Sequence, residues 1–448
     1  MIRILAAITF VCVFYSMGQF GVTSIFGVRR EAQMVALIAL GGLALARLGR
    51  LRLSLWNPVV WLLLPGVFIS MREKETLIQL TAYFVSALAA ATFESFEPRG
   101  RRTIVKGMVI GSSIFAFLSL VQIIYLLSDY TAQGLMTGMN TKEAHATEME
   151  QIAIVHPAMY LGFFNTFHDF RIFGVYVPRV FSFANEPSVL SYSIFAPGLL
   201  GFLLGGPWRW LGLVTIVFCL GPAQSGNLWL GVFGGLGVYL VSVITRWISG
   251  SRRTPATFIA VMAIALVLIN VGTANMTDFT AWIGAEGQKI SGVSTEMGNK
   301  EQSAYARLES MQEGLKLVLE HPLGGAPDFK AVSSPFAVTY GLALGVVGLL
   351  IASVSILAIV ERLAKHAERS KNQPLSPAAK LVDAAAIYVL CGACLVALLF
   401  QGYGWDSSSG LIMLYMIATF PEWAETPKAR VAGLARRAPL IPAATSAA

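Results

Sequence analysis

The stretch FAVTYGLALGVVGLLIASVSILAIV, Phe336 to Val360, runs for twenty-five residues without one charged side chain. A helix needs about 20 apolar residues to cross roughly 30 Å of hydrocarbon, so this segment is long enough to span a bilayer. Glu361, Arg362 and Lys365 follow it at once, as the charged collar of a membrane helix does. Working outward, eleven further apolar windows can be laid down between Lys/Arg-rich breaks. With the first they give about twelve expected spans: 2–20, 32–48, 55–70, 76–93, 104–127, 188–205, 209–222, 226–245, 256–273, 336–360, 381–401 and 408–420.

The composition agrees with lipid as the main solvent. Hydrophobic residues make up 55% of the 448, charged residues 13%, and mean hydropathy is +0.65. A soluble domain carries close to a quarter charged residues. The spans use up the length, so residues 1–448 are expected to form a single all-α polytopic membrane domain with no separate soluble unit. The first apolar stretch reads as a retained helix because no small-residue cleavage site follows it.

Charge placement gives the orientation. With both termini inside, about 21 of the 33 lysines and arginines fall on the cytoplasmic side and about 12 outside. Arg47, Arg50 and Arg52, then Arg99, Arg101 and Arg102, then Arg362, Lys365, Arg369 and Lys371 all lie in cytoplasmic connections. The net charge of +8 is therefore a topological signal and does not imply nucleic acid. Cys391 and Cys394 form a CxxC, but they lie in an apolar run around Gly392 and Ala393, which suits close helix packing better than metal or redox chemistry.

Two long segments, 128–187 and 273–335, then face the extracytoplasmic side, and only these have room for a folded site. In the first, 148–170 mixes apolar residues with His156, His168 and Asp169 around Pro157, as an interfacial or re-entrant segment would. In the second, Ala304, Leu308, Met311, Leu315 and Val318 recur at helical spacing with Arg307, Glu313 and Lys316 off that stripe. His321-Pro322-Leu323-Gly324-Gly325 then stops the helix.

Three constellations can carry chemistry. Arg171 and Arg179 precede Phe181-Ser182-Phe183-Ala184-Asn185-Glu186-Pro187-Ser188, which leads straight into a span. Guanidinium groups hold a diphosphate through paired donors, and a cleft beside lipid is where an isoprenoid diphosphate head would lie. A structural Arg179–Glu186 pair fits the same residues. Arg307 heads the amphipathic helix of the second segment. Gly221 to Asn227, including Ser225, makes a small polar connection on the same side. His321 is either a general base or a cap for helix carbonyls. No His/Cys/carboxylate spacing suggests a metal, and no Walker or dinucleotide motif is present.

At these residues the sequence resembles the O-antigen ligase and polymerase superfamily of bacterial surface-polysaccharide enzymes. The Arg179 to Ser188 segment is similar to that family's Arg-plus-Glu-Pro-Ser signature. Gln224-Ser225-Gly226 matches its Ser-containing turn. Arg307-Leu308-Glu309, with Glu320-His321-Pro322-Leu323-Gly324-Gly325 downstream, resembles its late-loop pattern. The resemblance implies a GT-C-like membrane glycosyltransferase with an undecaprenyl-diphosphate-linked donor and no cofactor, metal or nucleotide sugar. It implies an active site facing the periplasm from the inner membrane, with membrane lipid and a chain-length regulator as partners. Arg179, Arg307 and Glu186 would be catalytic; Arg171, Asn185, Ser225 and His321 would bind substrate. The ligase branch carries His-Asn, nine residues, then Gly-x-x-Gly. Here Gly345-Val346-Val347-Gly348 fits the end of that pattern, but Ser334-Pro335 stands where His-Asn belongs, which favours a polymerase.

Overall fold

A computed structural model describes residues 1–17, 29–63, 76–128, 170–172, 175–177, 194–220, 226–249, 312–324, 336–370, 377–399 and 408–424. They form an all-α protein. In chain order the helices are α1 (Ile2–Met17), α2 (Arg29–Leu45), α3 (Thr76–Glu94), α4 (Pro98–Ser128), α5 (Ala196–Leu204), α6 (Pro207–Leu220), α7 (Gly226–Ser249), α8 (Phe336–Ser370), α9 (Pro377–Leu399), α10 (Ser408–Ala418) and α11 (Phe420–Ala424). A 3₁₀ turn occupies Leu48–Arg50, and residues 58–63 and 312–320 are also helical. The described strands are one short antiparallel pair, β1 (Phe170–Ile172) and β2 (Val175–Val177).

The helices coincide with the expected apolar windows because each window is apolar almost throughout and each break is charged or rich in Gly and Pro. The window at 256–273 lies outside the described residues. Among the described residues, Phe336–Glu368 is the helix long and apolar enough to cross a membrane. It packs chiefly on α9, with smaller contacts to α10 and α11, and the bundle presents Ile4, Ile8, Val35, Ile38, Phe117, Val217 and Phe233 at its surface.

Inter-helix bonds sort the helix ends into two groups. At one end, Arg3 of α1 approaches Glu97 at 3.6 Å, and Arg47 donates to the Ser95 hydroxyl at 3.2 Å and to the Ser95 carbonyl. Arg101 donates to Phe96 O at 2.9 Å, Glu94 O at 2.8 Å and the Glu422 carboxylate at 3.0 Å. Arg102 holds Trp423 O at 2.6 Å and Ala424 O, and Arg362 holds Trp56 O. The guanidinium forks of Arg47, Arg101 and Arg102 thus satisfy carbonyls that the C-termini of α3 and α11 leave orphaned. Each such charged hydrogen bond contributes about 1.5–3 kcal/mol. At the other end, Ser409 of α10 donates to Phe14 O of α1 at 2.7 Å, and Gln33 to Ser16 O at 3.1 Å. Arg47, Arg101, Arg102 and Arg362, read above as cytoplasmic, are thus gathered at a single end.

Aromatic rings fill the space between α1, α3, α4 and α10. Phe10, Phe93 and Tyr415 meet edge to face, and Tyr15 bonds Ser112 at 2.8 Å. Against α9, α7 uses small residues instead. A Cβ on Gly235 would fall 2.4 Å from Tyr388 O, and one on Gly392 would fall 1.9 Å from Gly231 O. Cys391 and Cys394 are fully buried on α9, and the Cys391 thiol is turned to α8, where it donates to Val360 O at 3.7 Å. Where lipid is the solvent, backbone approach of this kind supplies the packing that the hydrophobic effect does not. Gly392→Val is expected to lower stability by about 1–3 kcal/mol through overpacking. A drop in detergent melting temperature checks it, with Gly237→Ala, whose Cβ meets open space, as the silent control.

Candidate functional site

Two of the seven candidate residues fall within the described structure. Arg171 is the middle residue of β1 and pairs in register with Tyr176 of β2, so the basic cluster of the first long segment opens on a hairpin. Arg179, Asn185, Glu186, Ser225 and Arg307 lie outside the described residues, as do His156 and His168. His321 is described, and it belongs to the most tightly built feature at that end of the bundle.

That feature starts from the 312–320 helix. Gly314 and Val318 are buried, Leu315 and Leu317 flank them, and Glu313 and Lys316 face out. This is the amphipathic pattern the sequence predicts. Val318 packs on Gly341 of α8, where an added Cβ would approach it to 2.8 Å. The helix stops at His321, whose amide bonds Leu317 O at 2.9 Å and whose carbonyl accepts from Gly324 N at 2.8 Å. Pro322 has no amide hydrogen to continue the ladder. The His321 ring is half buried and has no hydrogen-bond partner among the described residues.

The turn then locks into α8. Pro322 O accepts from Val346 N at 3.0 Å, directly beside Gly345, whose φ of 68° and ψ of −153° break the helix. Gly324 has φ 88° and backs onto the Ala343 and Leu344 backbone; a Cβ there would lie 2.5 Å from Ala343 O. A Cβ on Gly345 would lie 2.0 Å from Pro322 O. Both positions demand glycine, for conformation and for space. The sequence predicts one continuous span over 336–360, and here the structure differs. A Cβ on Gly348 would fall 2.1 Å from Tyr340 O, a separation an unbroken helix does not allow, so the piece before Gly345 folds back against the piece after it. Tyr340, fully buried, donates from its hydroxyl to Leu62 O at 3.0 Å and ties the folded-back piece to the 58–63 helix.

His321-Pro322-Leu323-Gly324 and Gly345-Val346-Val347-Gly348, which sequence reading treats as separate motifs, are therefore the two faces of one joint. Its backbone is irregular, yet the Val346 amide that the break exposes is bonded within the protein. The available signal was four glycines, Gly324, Gly341, Gly345 and Gly348, clustered in and beside an uninterrupted apolar run.

No family model, curated protein or solved structure matches this chain. The site must be judged on its residues alone.

Ionisable groups that sequence reading did not connect lie at the opposite, arginine-rich end. Tyr415 donates to the Glu94 carboxylate, which also accepts from Ser54 N at 3.2 Å. Arg209 pairs with Asp383 and stacks over Phe202 at 5.0 Å. Ser242 donates to Glu368 at 3.1 Å and accepts from Tyr388 at 3.2 Å. Each carboxylate here has a partner, which suits a structural role. Among the described residues no group of three His, Cys, Asp or Glu side chains is placed to hold a metal ion.

Proposed function

We propose that the chain is a polytopic enzyme of the bacterial inner membrane. It has about twelve spans, both termini inside and the segments 128–187 and 273–335 at the periplasmic face. We infer a GT-C-like polysaccharide polymerase that transfers a growing glycan from undecaprenyl diphosphate to a sugar hydroxyl on another lipid-linked repeat unit. The observation that carries this reading is the glycine joint. It anchors the late segment at Pro322, fifteen residues after Arg307, to the bundle end opposite the arginine-bound carbonyls.

In this reading Arg179 and Arg307, with Arg171 as a weaker third, hold the donor diphosphate and stabilise charge as the glycosyl bond breaks. The acceptor hydroxyl oxygen attacks the anomeric carbon and the carbon–oxygen bond to the diphosphate breaks. Undecaprenyl diphosphate leaves with the electron pair, and the hydroxyl proton passes to a base. Glu186 either takes that proton or orients an arginine; a carboxylate paired to arginine is a poor acceptor, which favours orientation. Asn185, Ser225 and His321 contact sugar. Purified protein supplied with lipid-linked repeat units is expected to give a ladder of products without nucleotide sugar or divalent metal. Loss of all product in EDTA would overturn the metal-free mechanism.

A second reading, transport of lipid-linked oligosaccharide, is favoured by the break at Gly345, because transporters build their sites on discontinuous helices. Counterflow of labelled lipid-linked oligosaccharide in proteoliposomes without chain growth would select it.

A further inference from the structure

The turn that closes the joint carries two large apolar side chains that the bundle leaves uncovered. Leu323 is 90% exposed and Leu319 is 74% exposed, although both adjoin the buried Val318 and the Pro322–Val346 bond. Leu319 lies about 100° round its helix from Val318, between the packed face and the Gln312, Lys316 and Glu320 face. Lys316 and Glu320 form an exposed pair at 3.9 Å along that polar face. The element thus has three sides: one on α8, one charged, and one apolar and open.

Its depth follows from α8. Arg362, bonded to Trp56 O, and the exposed Trp56 indole mark the arginine-rich end as a membrane–water boundary. Sixteen residues separate Arg362 from Val346, so at 1.5 Å per residue the joint lies about 24 Å above that boundary. A tilt of about 20° shortens this to roughly 23 Å. Both figures fall inside a hydrocarbon layer of about 30 Å, a few ångströms short of its outer edge. The exposed stripe of Val347, Leu350 and Val354 begins at the same level. Val347 and Leu323 each follow one member of the hydrogen-bonded Val346–Pro322 pair, so the exposed leucine of the turn lies at the level where that stripe begins.

We propose that Leu319 and Leu323 insert into the outer leaflet, where they contact the acyl chains of bulk lipid. The 312–324 element is then a membrane-seated anchor, and its charged face lies at headgroup level. The proposal rests on α8 crossing the bilayer, and the test separates the two. Single cysteines at Leu319, Leu323 and Leu350, with Cys12, Cys219, Cys391 and Cys394 replaced by alanine, would carry a nitroxide label in protein reconstituted into phosphatidylcholine vesicles. Collision with oxygen, which concentrates in hydrocarbon, would be compared with collision with a water-soluble nickel chelate. The expected result is an oxygen-to-nickel ratio above unity at all three positions, highest at Leu350. A ratio above unity at Leu350 but below it at Leu319 and Leu323 overturns the anchor and leaves the span intact. Exclusion of both reagents from Leu319 and Leu323 means that another stretch of this chain covers them, and also overturns it. A ratio below unity at Leu350 overturns the span itself.

Discussion

Arg179→Lys and Arg307→Lys are each expected to leave membrane abundance normal and to cut polymer formation about a hundredfold or more, the usual loss when one preorganised donor is removed from a charge-stabilising site. Lysine keeps the positive charge, so simple attraction of an anionic headgroup would survive the change. What it loses is the planar fork that donates two parallel hydrogen bonds to phosphate oxygens. If the arginines act mainly as charge develops on the leaving diphosphate, the loss will show in kcat more than in KM. Arg171→Lys is expected to have a smaller effect, since Arg171 sits on a strand pair eight residues before Arg179. Polymer length and rate, measured with lipid-linked repeat units and normalised to protein in the membrane, check all three. Wild-type rates for both Arg179→Lys and Arg307→Lys would move the diphosphate clamp elsewhere.

Gly345→Ala is expected to be the most damaging glycine-to-alanine substitution in the described part of the chain. Alanine must adopt φ 68° and ψ −153°, a region that costs about 1–3 kcal/mol for a non-glycine residue. Its Cβ must also occupy a point 2.0 Å from Pro322 O, and the simplest relief breaks the Val346–Pro322 bond. Freed of that bond, the 312–324 element, which begins five residues after Arg307, loses its registry with α8. Activity is expected to fall more than tenfold, since misplacement by about 1 Å costs on the order of a hundredfold when geometry governs the reaction. Trypsin cleavage at Lys316 is expected to quicken in parallel. Gly324→Ala attacks the other face of the joint, so the double variant is expected to be little worse than either single one. Gly41→Ala, with open space around its Cβ, is the control. Equal activity and equal proteolysis in Gly345→Ala and Gly41→Ala would show that the joint is dispensable.

The helices were legible in the sequence because apolar length and charged breaks act locally. α3 ends at Glu94 and α10 at Ala418, within two residues of where their windows end. The amphipathic helix before His321 was legible for the same reason: its apolar stripe and its Pro-Gly stop lie within one short stretch. The fold-back at Gly345 was not. A glycine inside an apolar run has the same hydropathy whether the chain runs straight or reverses there, and the deciding partner, Pro322 O, is a backbone atom with no sequence signature. The arginine bonds were hidden in the same way. Arg47, Arg101 and Arg102 read as orientation signals, yet most of what they bind is backbone carbonyl. Of the candidate site, Arg171 and His321 have a described place, and His321 belongs to the joint as much as to any sugar contact.

The carbonyls held by Arg102 and the Glu422 carboxylate held by Arg101 lie 321 or 322 residues further along the chain, and Tyr415 reaches Glu94 across the same interval of 321. At roughly 5–20 residues per second, a ribosome needs about 16–64 s to make the intervening polypeptide. During that time α1 to α4 exist with two guanidinium groups and a carboxylate still without their final partners. The protein therefore fastens like a clasp whose tongue is made last. The moment at which α10 and α11 leave the ribosome, and not the folding of the first helix, is when these bonds can close.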